Sequence, residues 1–466
     1  MASGKLHIVM FPWLAFGHLL PYLKLAKLIA QKGHQISFIS TPRNIQRLPK
    51  LPPDVAPLID FVKIPLPSVA NLPQNAEATI DVPFDKVKYL KIAYDQLQDP
   101  VTHFLECNSV DWILCDIISY WLGPVASRLG IRCAWYSIFP ASILGFFGPP
   151  SNMITGDDYR VNPEDFTVRP KWVPFETSVA MSLYQILAQA PNFEADGTEN
   201  VTDLFRVGNT VQNCDIVVIR SSTEYEPEWL KLVEEIYKKP VIPAGLLPAI
   251  DDDHDDDEYW DEIEDWLNKQ ARGSVIYVAF GAETKLNQVQ VSELALGLEL
   301  SRLPFLWALR KQRGLTDPER VELPEGFEER TRGRGMIYAT WVPQVKILSH
   351  DSVGGLLFHS GWSSVVEAVQ FGKTLVLLPF LGDQGLIAKQ VEEKKLGFLI
   401  PRNESDGGFT RDSVAETIKL VLVDAEGKIY RDKVNETKGI IGDMDSQNDY
   451  VENLIGYLQN HKSIKQ

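Results

Sequence analysis

The chain has 466 residues, 45% of them hydrophobic, and its 46 basic against 62 acidic side chains leave a formal charge of −16. That length and apolar content exclude a disordered tail or a small stapled scaffold and allow two sizeable cores. Eleven of the acidic residues fall between Asp251 and Asp265, leaving about −5 for the rest, and no basic stripe exists, so nucleic acid is not an expected partner.

The first apolar run is HIVMF (7–11). Pro12, His18 and Pro21 interrupt its apolar continuation and no small-residue cleavage site appears, so the segment reads as a core strand rather than a signal. His18 stands at the mouth of a helix that Pro21 helps to start and Gly33 ends. QISFIS (35–40), DWILC (111–115), CAWYSI (133–138) and DIVVIR (215–220) come next, with helical-period segments between them. That rhythm predicts parallel strands joined by crossover helices.

Asp116 ends the DWILC strand, and parallel-strand ends in one sheet converge on one rim. Its carboxylate is therefore expected to accept from the His18 ring, the orienting half of a triad without a nucleophile. His7 and His34 start strands at the opposite rim and are expected to be structural. Phe139, Phe146 and Phe147 lie in SIFPASILGFFGPP (137–150), and KWVPFETSVAMSLYQIL (171–187) adds apolar surface. These are candidate walls for an apolar or aromatic ligand.

Cys107, Cys115, Cys133 and Cys214 show neither C-x-x-C spacing nor secreted-type density. No run of about 18 apolar residues occurs that would span a bilayer. A soluble, cytoplasmic, monomeric protein is expected.

The strand rhythm breaks at PAGLLPAIDDDHDDDE, where two prolines and clustered carboxylates disfavour regular structure. The expected division is a domain over 1–246, an acidic linker over 247–258, a domain over 259–445, and a helix within 446–466 that packs back on the first domain. A calcium loop in the acidic run fails, because Asp256 stands where an EF-hand needs its turn glycine.

The rhythm then resumes with SVIYVAF (274–280), FLWALR (305–310), MIYATWV (336–342), VGGLLFH (353–359) and TLVLLPF (374–380). Two doubly wound α/β domains are the simplest account. Several motifs fail. The turn FPWLAFGH after the first strand lacks G-x-G-x-x-G, which disfavours a dinucleotide. Gly372-Lys373-Thr374 resembles a P-loop end, but Glu367 occupies the place of its first glycine. Gly361-Trp362-Ser363-Ser364-Val365 lacks the last glycine of a nucleophile elbow.

Residues Trp341 to Gln384 carry the chemistry. After GGLLF come His359, Ser360, Gly361, Trp362, Ser363 and Ser364, then helical VVEAV, so backbone N–H groups, hydroxyls and an imidazole surround a helix N-terminus. That is a diphosphate site built without a metal. Glu367, one turn inward, suits a ribose diol, and Trp341 offers a flat face for a base. Asp383 and Gln384 combine an acceptor-only group with a mixed donor and acceptor, which suits sugar hydroxyls.

The order and spacing of this stretch resemble the C-terminal signature box of plant UDP-dependent glycosyltransferases. The resemblance implies the GT-B fold, two Rossmann-like doubly wound domains facing across a cleft, and covers essentially the whole chain. It implies that Trp341 stacks on uracil with Val342 and Gln344 beside the uridine, and that Glu367 holds the ribose. His359, Gly361, Ser363 and Ser364 would face the phosphates, and Trp362, Asp383 and Gln384 the donor sugar. Ser360 and Ser363 replace the Cys and Asn of the commoner core. HSGWSSVVEA with IPRNESDGGFTRDSVAE is similar to the family 91 branch, whose members often add sugar to an existing glycoside. Gln384 is similar to glucose-using members, with rhamnose and xylose left open.

The resemblance implies inverting transfer of a hexose from a UDP-sugar co-substrate, UDP-glucose first, to a hydroxyl of a small lipophilic plant metabolite or its flavonoid or terpenoid glycoside, with Phe139, Phe146 and Phe147 near that acceptor, His18 as general base and no permanent cofactor. A UDP-sugar epimerase and a non-catalytic UDP-sugar-binding protein are the alternatives.

Overall fold

A computed structural model of the chain describes residues 4–193, 201–249, 259–281, 283–309 and 321–462. Residues 250–258, which carry most of the expected linker at 247–258 and the calcium reading, lie outside the described residues. The chain divides into two compact units. Unit 1 comprises Met1–Tyr159, Ala190–Leu247 and Asp445–Gln466; unit 2 comprises Arg160–Gln189 and Pro248–Met444.

Unit 1 is built on a seven-stranded parallel sheet: β1 (His7–Phe11), β2 (Gln35–Ser40), β3 (Ile59–Lys63), β4 (Trp112–Cys115), β5 (Arg132–Ser137), β6 (Ile216–Ile219) and β7 (Val241–Pro243). Their spatial order is β3-β2-β1-β4-β5-β6-β7. The central strands are buried on both faces, as helix-covered parallel strands require, and therefore appear as unbroken apolar runs.

Unit 2 repeats the plan with β8 (Val275–Ala279), β9 (Phe305–Ala308), β10 (Gly335–Tyr338), β11 (Val353–Phe358), β12 (Thr374–Leu377) and β13 (Gly397–Leu399). Their order is β10-β9-β8-β11-β12-β13. In each sheet the first strand lies between the second and the fourth, and the winding reverses there. The crevice beyond the strand ends at such a reversal is where open α/β sheets bind ligands.

The division of the sequence at 246 needs one correction, because residues 160–189 belong to unit 2. They are tied there by polar contacts that periodicity does not reveal. The Thr177 hydroxyl donates to Glu393 Oε2 over 2.8 Å, and the Ser178 N–H and hydroxyl reach the same oxygen over 2.5 and 2.9 Å.

The helix Met444–Asn460 joins the core of unit 1 through Val451, Leu454, Ile455 and Leu458. Their i, i+3, i+4, i+7 spacing makes one apolar stripe, and burial of each such side chain is worth roughly 1.5–3 kcal/mol. The Trp112 indole N–H donates to the Leu458 carbonyl over 2.9 Å, and the Leu246 N–H donates to Gln447 Oε1 over 2.7 Å. Among the described residues, no helix is long and apolar enough to cross a membrane. All four cysteines are free thiols.

Candidate active site

In unit 1 the helix after β1 spans Phe16–Gln31. It begins earlier than expected: Pro21 lies inside it, so His18 sits in its first turn rather than ahead of it. Two contacts aim that turn. His18 Nδ1 is 2.8 Å from Asp116 Oδ2. One turn on, the buried Tyr22 hydroxyl reaches the Cys115 carbonyl over 2.7 Å and the Tyr136 carbonyl over 2.8 Å. Residues i and i+4 share a helix face, so Tyr22 locks that face against β4 and β5 and turns His18 toward the end of β4. Burial pushes the Tyr22 phenol well above its ordinary range, so it remains a neutral donor. Tyr22 has no motif around it, and its only sequence signal is its place one turn after His18.

Asp116 is fully buried. Its Oδ2 also accepts from the Trp13 N–H over 2.8 Å, and Oδ1 accepts from the Ile117 N–H over 2.6 Å. With donors on both oxygens the carboxylate acts as an acceptor, which places the imidazole proton on Nδ1 and the lone pair on Nε2. The His18 side chain is 12% exposed, and the Phe139 ring meets it edge-on at 5.5 Å. The control histidines differ. His34 Nδ1 accepts from the Leu6 N–H over 3.0 Å, and His7 lies 2.8 Å from the Ser37 hydroxyl through Nε2 and 2.9 Å from the Ser109 carbonyl through Nδ1.

Phe146 is a correction. It is fully buried, because its helix, Ala141–Phe147, packs so tightly on Trp229 that a Cβ on Gly145 would lie 2.6 Å from that indole. Phe146 is core and cannot line a site. Phe147 meets it edge-on at 5.8 Å and remains partly exposed.

In unit 2 the turn after β11 enters the helix Trp362–Gln370. Ser360 is buried and adopts φ +70°, a left-handed conformation uncommon outside glycine. His359 sits between two glycines. A Cβ on Gly361 would lie 2.6 Å from its Nε2, and one on Gly281, at φ +66°, would lie 2.8 Å from its Cε1. Gly281 follows β8, the strand beside β11, so both sides of the reversal point shape the imidazole's seat. The motif reading missed Gly281, whose one signal is a glycine directly after the SVIYVAF strand.

Ser363 and Ser364 are partly exposed in the first helical turn, where main-chain N–H groups face outward and can meet an anion. The Trp362 indole is buried, so its main-chain N–H is what faces the helix entrance. Gln344 Nε2 donates to Glu367 Oε2 over 2.7 Å and to the Ser364 hydroxyl over 3.2 Å, fixing the carboxylate's orientation. Trp341 is 57% exposed while Val342 beside it is buried. A large flat indole left in solvent is unusual and suits stacking.

Asp383 precedes the helix Gln384–Glu393, without a side-chain hydrogen bond to its first turn. Gln384 Oε1 accepts from the Phe380 and Leu381 N–H groups over 2.9 and 3.0 Å. The amide oxygen is thus committed to the loop, and its NH₂ is the group left for a ligand. Lys373, the P-loop look-alike, is buried and donates to the His350 and Val353 carbonyls, both over 2.9 Å. Burial pulls its ammonium down to about 8, so it ties chain segments together rather than holding a phosphate.

Two sheets of this order, with their candidate groups at the reversal points, define the GT-B class. The solved Glycyrrhiza uralensis enzyme UGT73P12, complexed with glycyrrhetinic acid 3-O-monoglucuronide, shares the fold: TM-score 0.77, 21% identity, 98% of this chain and 96% of that one. The family described as UDP-glucoronosyl and UDP-glucosyl transferase matches residues 200–440. Arabidopsis thaliana UDP-glycosyltransferase 91A1 is 52% identical, over 97% of each chain. A Petunia hybrida anthocyanidin-3-O-glucoside rhamnosyltransferase is 34% identical, over 98% of this chain and 97% of its own. The chain belongs to the plant family 1 UDP-glycosyltransferases, in the 91 branch, and is a glycosyltransferase.

Proposed function

We propose that the enzyme transfers a hexose, glucose first, from UDP to a hydroxyl of a small lipophilic plant metabolite or its glycoside, with inversion at the anomeric carbon. His18 Nε2 takes the hydroxyl proton as that oxygen attacks the anomeric carbon. The bond from that carbon to the diphosphate oxygen breaks, and UDP leaves with the electron pair. Asp116 keeps the proton on Nδ1 and stabilises the imidazolium. The observation that carries this reading is the 2.8 Å contact between His18 Nδ1 and a buried carboxylate with donors on both oxygens. A protein that only stored UDP-sugars would not need an oriented base.

Trp341 receives the uracil with Val342 and Gln344 beside it, and Glu367 the ribose. His359, Gly361, Ser363, Ser364 and the helix N-terminus meet the charge that develops on UDP. Trp362, Asp383 and Gln384 meet the sugar, and Phe139 and Phe147 the acceptor. The Petunia relative's name specifies an acceptor that already carries a sugar, which favours a glycoside acceptor. Incubation with UDP-glucose and a panel of flavonoid and diterpenoid glycosides should give products heavier by one hexose, with UDP released in equal amount. Loss of UDP-glucose without acceptor, to an isomeric UDP-sugar, would replace transfer by epimerisation.

A further inference from the structure

Arg402 follows β13, and its guanidinium lies within 4.9 Å of the Tyr184 and Phe380 ring centres and 5.7 Å of Phe409. Nε donates to the Gly407 carbonyl over 2.5 Å, and Nη1 reaches the Tyr184 hydroxyl over 3.4 Å. Nη1 also donates to the carbonyl of Pro379. Pro379 immediately precedes Phe380 and Leu381, whose N–H groups are held by Gln384 Oε1. A continuous chain of contacts thus runs from Arg402 through Pro379 to the Gln384 amide. The helix bearing Tyr184 adds a second brace: a Cβ on Gly385 would lie 2.1 Å from Gln185 Oε1, and Gln185 is buried.

We infer that Arg402 is a positioning residue for the sugar of the donor. Clamped among three rings, it sets loop 379–384 so that Gln384 Nε2 and Asp383 stand where hexose hydroxyls arrive, and it thereby decides which sugar is accepted. This rests on the proposed role of Asp383 and Gln384. A lysine keeps the charge but loses the planar fork that serves separate carbonyls while stacking on rings.

Calorimetry with UDP, UDP-glucose and UDP-xylose tests the inference without needing the acceptor, since xylose lacks the hydroxymethyl group of glucose. Arg402→Lys and Arg402→Leu should leave UDP affinity within about twofold of wild type. The tightening that glucose adds over UDP alone should fall about tenfold, the scale of one lost hydrogen bond, and the preference for glucose over xylose should shrink with it. Gln384→Ala should do the same. Should Gln384→Ala change the sugar-dependent ratios and Arg402→Lys leave them at wild type, the Arg402 inference alone falls. Unchanged ratios in Gln384→Ala would remove the donor-sugar reading and this inference with it. If Arg402→Lys weakened UDP and UDP-glucose equally, Arg402 would be a general structural residue and the inference would be wrong. Arg402→Lys decides the matter if Arg402→Leu does not fold.

Discussion

The two units place a histidine at the same topological position and treat it in opposite ways. At the reversal point of unit 1, His18 comes from the first-strand side and meets a buried carboxylate from the fourth-strand side, Asp116. At that of unit 2, His359 comes from the fourth-strand side and is flanked by Gly361 and, from the first-strand side, Gly281. A buried carboxylate makes an imidazole a better proton acceptor. Backbone around a helix entrance instead makes a seat for a negatively charged ligand. One topology can therefore suit a ring either to the base role proposed for His18 or to the anion cradle proposed around His359, according to whether an aspartate or a glycine faces it.

Substitutions at the two rings sharpen this contrast, and the largest effect is expected in unit 1. His18→Ala should lower kcat by roughly 10² to 10⁴, the usual worth of a positioned proton transfer, while calorimetry finds UDP affinity close to wild type. Near-normal turnover would remove the base assignment. Asp116→Asn comes next: an amide can present its NH₂ to Nδ1 and reverse the tautomer, for which a loss of up to about 10⁴ in kcat has precedent in oriented histidines. If Asp116→Asn and His18→Ala act through the same ring, their combined loss should fall well short of the product of the single losses.

In unit 2 the effects should be smaller and fall on binding. Gly281→Ala adds a Cβ 2.8 Å from His359 at a φ of +66°. The strain should cost about 1–3 kcal/mol, seen as weaker UDP binding and a lower melting temperature, with His18-dependent chemistry intact in whatever donor complex forms. A variant with wild-type UDP affinity would separate His359 from the diphosphate. Glu367→Ala should weaken UDP about tenfold, the scale of one hydrogen bond to a charged group. Uridine-free pyrophosphate should bind the variant as it binds wild type.

The centre of each sheet was legible in the sequence, whereas of the four edge strands only β10 was. Strands β1, β4, β6, β8, β11 and β12 are buried on both faces and stand out as apolar runs. The strands missed were β3, β7 and β13, short edge strands that are partly exposed and carry no such run. The same logic governs the site. Residues at central strand ends, such as His18, Asp116 and His359, could be placed by topology alone. What held them could not: Tyr22 acts through two distant carbonyls, and Gly281 matters by lacking an atom. Phe146 failed because an aromatic near a crevice and one beneath it look alike without packing. Residues 160–189 failed because what binds them to unit 2 is polar and distant in sequence, with Glu393 and Gly385 as the partners.

The return of the helix Met444–Asn460 to unit 1 constrains when that unit can finish folding during synthesis. The strands of the first sheet leave the ribosome early, yet the stripe that covers Trp112 and its neighbours emerges only after the whole second sheet has been made. Until then the nascent first unit exposes an uncovered apolar face, the kind of surface on which chaperones act. Completion of the half to which the base is proposed to belong must wait for translation of the half proposed to hold the nucleotide.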